Sequence, residues 1–270
     1  MLKVGVIGCG AIGTEVCMAI DRGLVNAQLS AIYDRSGENC ERLLASLGKK
    51  PAILPPDELI SSADMIVECA SAQAVREFGV NVLESGKDLM VMSAGAFRDS
   101  GLLKRLTDTA REHHCRIYIP SGAIAGIDGL KSASVAHVNK VMLTTTKNPE
   151  GLKGAPFVEK NNIDLDSFLE KTLLFEGSAD EAITAFPANV NVAVSLGLAG
   201  IGMENTHVRI FVDPEAKRNV HEISIEGDFG NFTCRVENVP SPGNPRTSYL
   251  AALSAIATLK KITEPLQIGT

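Results

Sequence analysis

The sequence predicts an α/β protein, a doubly wound parallel sheet followed by a second α+β domain with a mostly antiparallel sheet. Three observations predict it. Short apolar runs alternate with helix-like segments up to Pro120. Those runs are apolar on both faces, as parallel strands covered by helices must be. Beyond Pro120 the strands come in a different pattern, with a hairpin-type turn at 227–230.

In chain order, strands are predicted at 3–7, 28–33, 52–54, 65–70, 88–93 and 116–120. Helices are predicted at 11–22, 37–47, 56–61, 72–85 and 102–114. Gly23, Gly48 and Gly86 follow three of these helices, where a left-handed C-terminal residue is expected. Six such strands fit the sheet order 3-2-1-4-5-6. Residues 121–128 read as a loop of small side chains. Later strands are predicted at 141–146, 208–212, 222–226 and 232–236, with helices near 164–171, 180–185 and 190–203. The break Pro240-Ser241-Pro242-Gly243-Asn244-Pro245 precedes an amphipathic helix over 248–261. That helix is expected to return to the first domain. The expected domains are therefore 1–120 with 245–270, and 121–244.

The bulk composition excludes several classes. The chain has 270 residues, one large domain or more naturally two, and 45% hydrophobic content, enough for a full core. Its net charge of −6, without a basic patch, argues against a nucleic-acid partner. No Trp and three Tyr leave little surface for base stacking. No apolar run approaches the length needed to span a membrane, and no secretory signal precedes the first strand. The six cysteines form no CxxC pair. A reduced, cytoplasmic setting is the consistent expectation. No metal is expected, since the histidines lack partner ligands at metal-like spacing.

The segment Gly8-Cys9-Gly10-Ala11-Ile12-Gly13 is a GxGxxG motif between a strand and a helix. Gly8 permits a tight turn, Gly10 lets backbone approach a pyrophosphate, and Gly13 lets helix and strand pack closely. The helix's unpaired N–H groups then face the phosphate charge. Asp34 ends the next apolar run, 21 positions beyond Gly13, where a carboxylate accepts hydrogen bonds from an adenosine ribose. The alternative is a glycine turn and a surface Asp in an unrelated α/β protein. The conjunction points instead to a Rossmann-type dinucleotide site. Arg35 is placed to meet a 2′-phosphate, which Asp34 would repel. NAD is expected to be preferred, with NADP tolerated. Cys69-Ala70-Ser71 and Ser121-Gly122-Ala123-Ile124-Ala125-Gly126 follow two strands at the edge where such sheets bind ligands. The second stretch reads equally as an interdomain hinge. Cys69 reads as packing rather than as a nucleophile.

Strand phase ranks the chemical residues. His221 shares phase with Ile223 and Ile225, so it points to the covered side of its sheet. It is either a satisfied core residue or a cleft acid/base. His207 falls with Arg209 on a polar face and reads as a surface residue. His113 and His114 end a helix, where positive charge suits the dipole. His137 has no persuasive context. Asn189 suits a helix N-cap. Asn191 enters a nearly apolar stretch, where a buried amide needs a partner. A nicotinamide carboxamide or a neighbouring loop would supply one. Lys147, Arg209, Lys217 and Arg246 are unranked candidates for binding substrate carboxylates.

Together these segments resemble the L-aspartate dehydrogenase family over nearly the whole chain. The resemblance is carried by the glycine motif, by Ile119-Pro120-Ser121-Gly122-Ala123-Ile124-Ala125-Gly126 and by Phe186-Pro187-Ala188-Asn189-Val190-Asn191-Val192-Ala193. Asn219-Val220-His221-Glu222-Ile223 and the Pro240–Pro245 break complete it. Segment 147–162 matches least well. The resemblance implies a catalytic histidine at His221, NAD contacts at Ala125 and Asn191, and a homodimer. It implies NAD(P)-dependent oxidation of L-aspartate to iminosuccinate. That imine either hydrolyses to oxaloacetate and ammonia or feeds quinolinate and pyridine nucleotide biosynthesis. Two other readings are a dehydrogenase of another small carboxylate and an NAD-binding sensor without turnover.

Overall fold

The computed structural model describes residues 1–187, 190–241 and 243–270, with the backbone alone for Pro245 and Arg246. Asn189 and the Arg246 side chain therefore lie outside the described residues. The chain forms two compact units. One comprises Met1–Gly122, Pro242–Asn244 and Ala251–Ile268; the other comprises Ala123–Ser241, Pro245–Leu250 and Gly269–Thr270.

The first unit alternates β1 (Leu2–Ile7), α1 (Ala11–Asp21), β2 (Ala27–Tyr33), α2 (Gly37–Ser46), β3 (Ala52–Ile53), α3 (Pro56–Ser62), β4 (Met65–Glu68), α4 (Ala72–Glu84), β5 (Asp88–Val91), α5 (Ser100–Glu112) and β6 (Ile117–Tyr118). The sheet runs β3-β2-β1-β4-β5-β6, every pair parallel, in the predicted order. Strands this apolar survive because helices cover both faces. Val4, Val6, Val16, Ile32, Leu43, Val67 and Met90 form one buried cluster. Gly23 and Gly86 adopt positive φ, +72° and +71°, just beyond α1 and α4. Gly48 does not: Leu47 beyond α2 is extended, and the Gly48 N–H donates to Asp21 Oδ2 at 2.8 Å instead.

The second unit holds α6 (Ile127–Ala133), β7 (Val138–Lys147), α7 (Pro156–Lys160), β8 (Thr172–Ser178), α8 (Ala179–Ala185), α9 (Val190–Ala199), β9 (Thr206–Val212), β10 (Asn219–Gly227) and β11 (Gly230–Asn238). Its sheet runs β11-β10-β7-β9-β8. Only the β7–β9 pair is parallel. One face is core: Val141, Leu143, Val208, Ile210, Ile223 and Ile225 are buried. The opposite face, with Met142, Arg209, Phe211, Val220 and Glu222, is half-buried.

Several expected elements differ. Segment 164–171 holds one 3₁₀ turn, Leu165–Ser167, rather than a helix. The turn is set by Asp164, whose carboxylate accepts the Asp166 N–H at 3.1 Å. Strand β8 follows it. Helix α6 begins inside the stretch read as a loop. Helix α9 stops at Ala199, before Gly202 at φ +88°. The Pro-rich break carries a short ribbon of β12 (Pro240–Ser241) and β13 (Asn244–Ser248). Helix α10 (Tyr249–Thr263) follows, and its Ala255 and Leu259 join the first unit's buried cluster.

Candidate active site

The first unit builds a dinucleotide cradle where β1 runs into α1. Gly8 has φ +103°, and a Cβ there would lie 2.6 Å from the Cys69 carbonyl carbon. A Cβ on Gly13 would stand 1.9 Å from the Gly8 oxygen. Neither position admits a side chain. Gly10 faces open space, with nothing within 4 Å of an added Cβ. As N-cap of α1 it offers no side-chain acceptor, so the first-turn N–H groups of Ala11, Ile12 and Gly13 gain no side-chain cap. Such a helix start fits a pyrophosphate. Asp34 Oδ2 accepts the Cys9 N–H at 2.8 Å, and Oδ1 accepts Ser36 N–H at 2.8 Å and Asn39 Nδ2 at 3.1 Å. The carboxylate thus braces the glycine loop. Arg35 pairs with Glu77 at 2.5 Å.

Glu68 organises the neighbouring loop and was not anticipated. It is 2% exposed at the end of β4. Its Oε1 accepts the Ala70 and Ser71 N–H groups and the Ser93 hydroxyl, each at 2.8 Å, and Oε2 accepts the Ser93 N–H at 3.0 Å. Burial raises its pKa, and these donors oppose the rise. Ala70 and Ser71 are themselves exposed. Ser71 caps α4 through its hydroxyl, which accepts the Ala74 N–H at 3.2 Å. Burial pushes the Cys69 thiol up, against a nucleophilic role.

The second unit positions His221. Register pairs it with Thr145 on β7 and Val236 on β11. Its side chain is 6% exposed, and Nδ1 lies 3.0 Å from Thr145 Oγ1. Burial first, and the Lys147 ammonium second, push the imidazole pKa down to about 4. His221 is therefore neutral across the ordinary pH range. The loop holding Ala125 lies against β10, which carries His221, and β11. A Cβ on Gly126, at φ +88°, would meet Ile223 Cδ1 at 2.7 Å and Cys234 Sγ at 2.9 Å. Asn238 at the end of β11 donates from Nδ2 to the Ala123 carbonyl at 3.0 Å. Ala125 itself is exposed.

Asn191 corrects an expectation. It is exposed in the first turn of α9, so burial does not explain its presence in that apolar helix. His207 is exposed. Arg209 is committed to Glu176 at 2.7 Å. Lys217 is exposed, whereas Lys147 is only 8% exposed. Among the described residues no group of three or more His, Cys, Asp or Glu side chains could hold a metal, and no helix is long and apolar enough to cross a membrane.

Comparison with known proteins covers both halves of the chain. The family model for the aspartate dehydrogenase C-terminal domain matches residues 128–262, and that for the homoserine dehydrogenase NAD-binding domain matches residues 8–120. An L-aspartate dehydrogenase of Methanococcoides burtonii is 56% identical, with both chains covered completely. The chain belongs to the L-aspartate dehydrogenase family. Within that family the Nitrosopumilus maritimus protein is 45% identical, again over both complete chains. The crystal structure of aspartate dehydrogenase from Thermotoga maritima superposes with a TM-score of 0.76 at 29% identity, covering all of both chains. A homoserine dehydrogenase of Thiobacillus denitrificans shares the fold, with a TM-score of 0.62 at 12% identity over 97% of this chain and 74% of its own.

Proposed function

We propose that the chain oxidises L-aspartate to iminosuccinate with NAD, and that water then releases oxaloacetate and ammonia. The observation that carries this reading is the neutral, buried imidazole of His221. It shares a sheet face with a buried ammonium and lies beside the Ala125 loop. When bound, NAD(P) supplies the hydride acceptor. Gly8, Gly10, Ala11, Ile12 and Gly13 would hold its pyrophosphate and Asp34 its adenosine ribose. Arg35, Ala70 and Ser71 flank that site, while Ala125 and Asn191 would hold the carboxamide.

The chain's own chemistry centres on one proton. With Nδ1–H donated to Thr145 Oγ1, His221 keeps the Nε2 lone pair free. Nε2 takes a proton from the water that adds to the imine carbon of iminosuccinate. Collapse of that adduct expels ammonia. General-base assistance of this kind is worth about 10²–10⁴ in rate. The same residues run the reverse amination.

The product imine also suits a place in quinolinate and pyridine nucleotide biosynthesis. All six cysteines are free, in keeping with a cytoplasmic setting. The half-buried outer face of the second sheet suits a homodimer contact. A panel of L-amino acids with NAD, followed by ammonia with 2-oxo acids and NADH, tests the reading. L-aspartate and oxaloacetate should stand out. Turnover of another carboxylate, or tight NAD binding without any turnover, would replace it.

A further inference from the structure

Lys147 is only 8% exposed, and among the described residues no carboxylate pairs with it. It ends β7 in phase with Val141, Leu143 and Thr145, so it rises from the sheet face that carries His221. Among the described residues its ammonium has no hydrogen-bond or ion-pair partner. Burying an unpaired charge is strongly unfavourable, and its pKa is lowered by that burial. Sites that keep such a group are commonly ligand sites.

Lys147 lines a cavity of about 570 Å³ within the second unit. That volume falls inside the ~300–1,000 Å³ range of small-molecule sites. The wall also carries Lys217 and Arg218, from the connection before β10, and the amides of Asn219 and Asn238. The cavity's fourth cation, Lys153, is already paired with Glu150 and lies 3.5 Å from Asp166. Among the described residues, Lys147, Lys217 and Arg218 thus have no ion-pair partner around a space fit for a small molecule.

We infer that this cavity is the dicarboxylate subsite of the reaction, with Lys147 binding one substrate carboxylate and Lys217 with Arg218 binding the other. The inference rests on the dehydrogenase reading above and names the groups that recognise its substrate. Register supports the placement. Lys147 lies two residues along β7 from Thr145, which touches His221. Same-face neighbours on a strand stand about 7 Å apart. A four-carbon skeleton anchored at Lys147 is long enough to span a gap of that size toward the imidazole. The arrangement also couples binding to basicity. The Lys147 charge helps hold His221 unprotonated, and an arriving carboxylate offsets that charge. His221 becomes a stronger base when substrate is present. The charged groups lining the cavity are Lys147 on β7, Lys217 and Arg218 before β10, and the Glu150–Lys153 pair after β7; of these Lys147 acts on His221.

The test uses the full-length chain with NAD. Lys147→Met should raise the KM for L-aspartate by about 30-fold or more, the usual loss when a buried charge contact is truncated. Its Kd for NAD should stay within about twofold, and Lys147→Arg should recover part of the KM. Malonate should compete with aspartate at least about tenfold better than acetate on the wild type, and lose that advantage in Lys147→Met. The His221 titration midpoint should move up in the same variant. An unchanged KM with unchanged malonate inhibition in a folded Lys147→Met protein overturns the inference. If that variant fails to fold, Lys217→Ser with Arg218→Ser decides by the same malonate comparison. Absence of any NAD reduction by wild type with L-aspartate sinks the dehydrogenase reading itself. Turnover with a Lys147-independent KM sinks only the subsite.

Discussion

His221 is the proposed base because one pleat places it in a dry position while the charge of Lys147 disfavours its protonation. The sign follows directly. A pKa near 4 in the folded chain, against 6.5 for an ordinary histidine, means that the base is lost only as pH falls through about 4. Proton NMR of the His221 ring in the free protein should show its midpoint below pH 5; a midpoint near 6.5 would place the ring in water. Cofactor choice also lies at this scale. Glu77 pairs with the Arg35 guanidinium, the group expected to meet a 2′-phosphate. Glu77→Gln should lower the KM for NADP several-fold while leaving that for NAD within about twofold, as expected for an exposed pair worth ~1 kcal/mol. No change with NADP would remove Arg35 from cofactor discrimination. The phase of His221 was readable from Ile223 and Ile225. Lys147 stood among four unranked cations; its burial was readable by the same rule, since Val141, Leu143 and Thr145 alternate up to it, but the strand was expected to end at 146. Glu68 passed for part of an apolar run, because local pattern does not announce the four donors that a carboxylate will meet.

At the level of elements, apolar length and helix-ending glycines made the parallel half legible, including its strand order. The antiparallel half was less so. Strand β8 is an edge strand interrupted by Gly177 and preceded by polar residues, and such a segment lacks a clear period of two. Helix α6 spans only seven residues, too few for a 3.6-residue period to emerge. Helix α10 was legible because its apolar stripe follows an evident break. Its Leu259 is fully buried among Val16, Ile20 and Val67 of the first unit's cluster. Leu259→Ala should therefore destabilise that unit by ~2–5 kcal/mol. Urea denaturation followed by circular dichroism measures it, and a loss below ~1 kcal/mol would mean that α10 does not close this core.

Across the whole molecule, each unit carries its own set of features, and the proposed reaction draws on both. The first presents a glycine cradle whose close approaches forbid side chains at Gly8 and Gly13. The second presents a neutral base, a buried cation and a loop pinned by Asn238. Neither half alone would specify an amino-acid dehydrogenase, which is why the glycine motif by itself said little about substrate. The most direct measurement is NADH formation from NAD and L-aspartate by the wild-type chain and by His221→Ala, with NAD affinity measured on both. The expected result is aspartate-dependent NADH with the wild type, turnover lowered by about 10²–10⁴ in the variant, and NAD affinity retained. Equal turnover by the two proteins, or no NADH from aspartate with either, would contradict it.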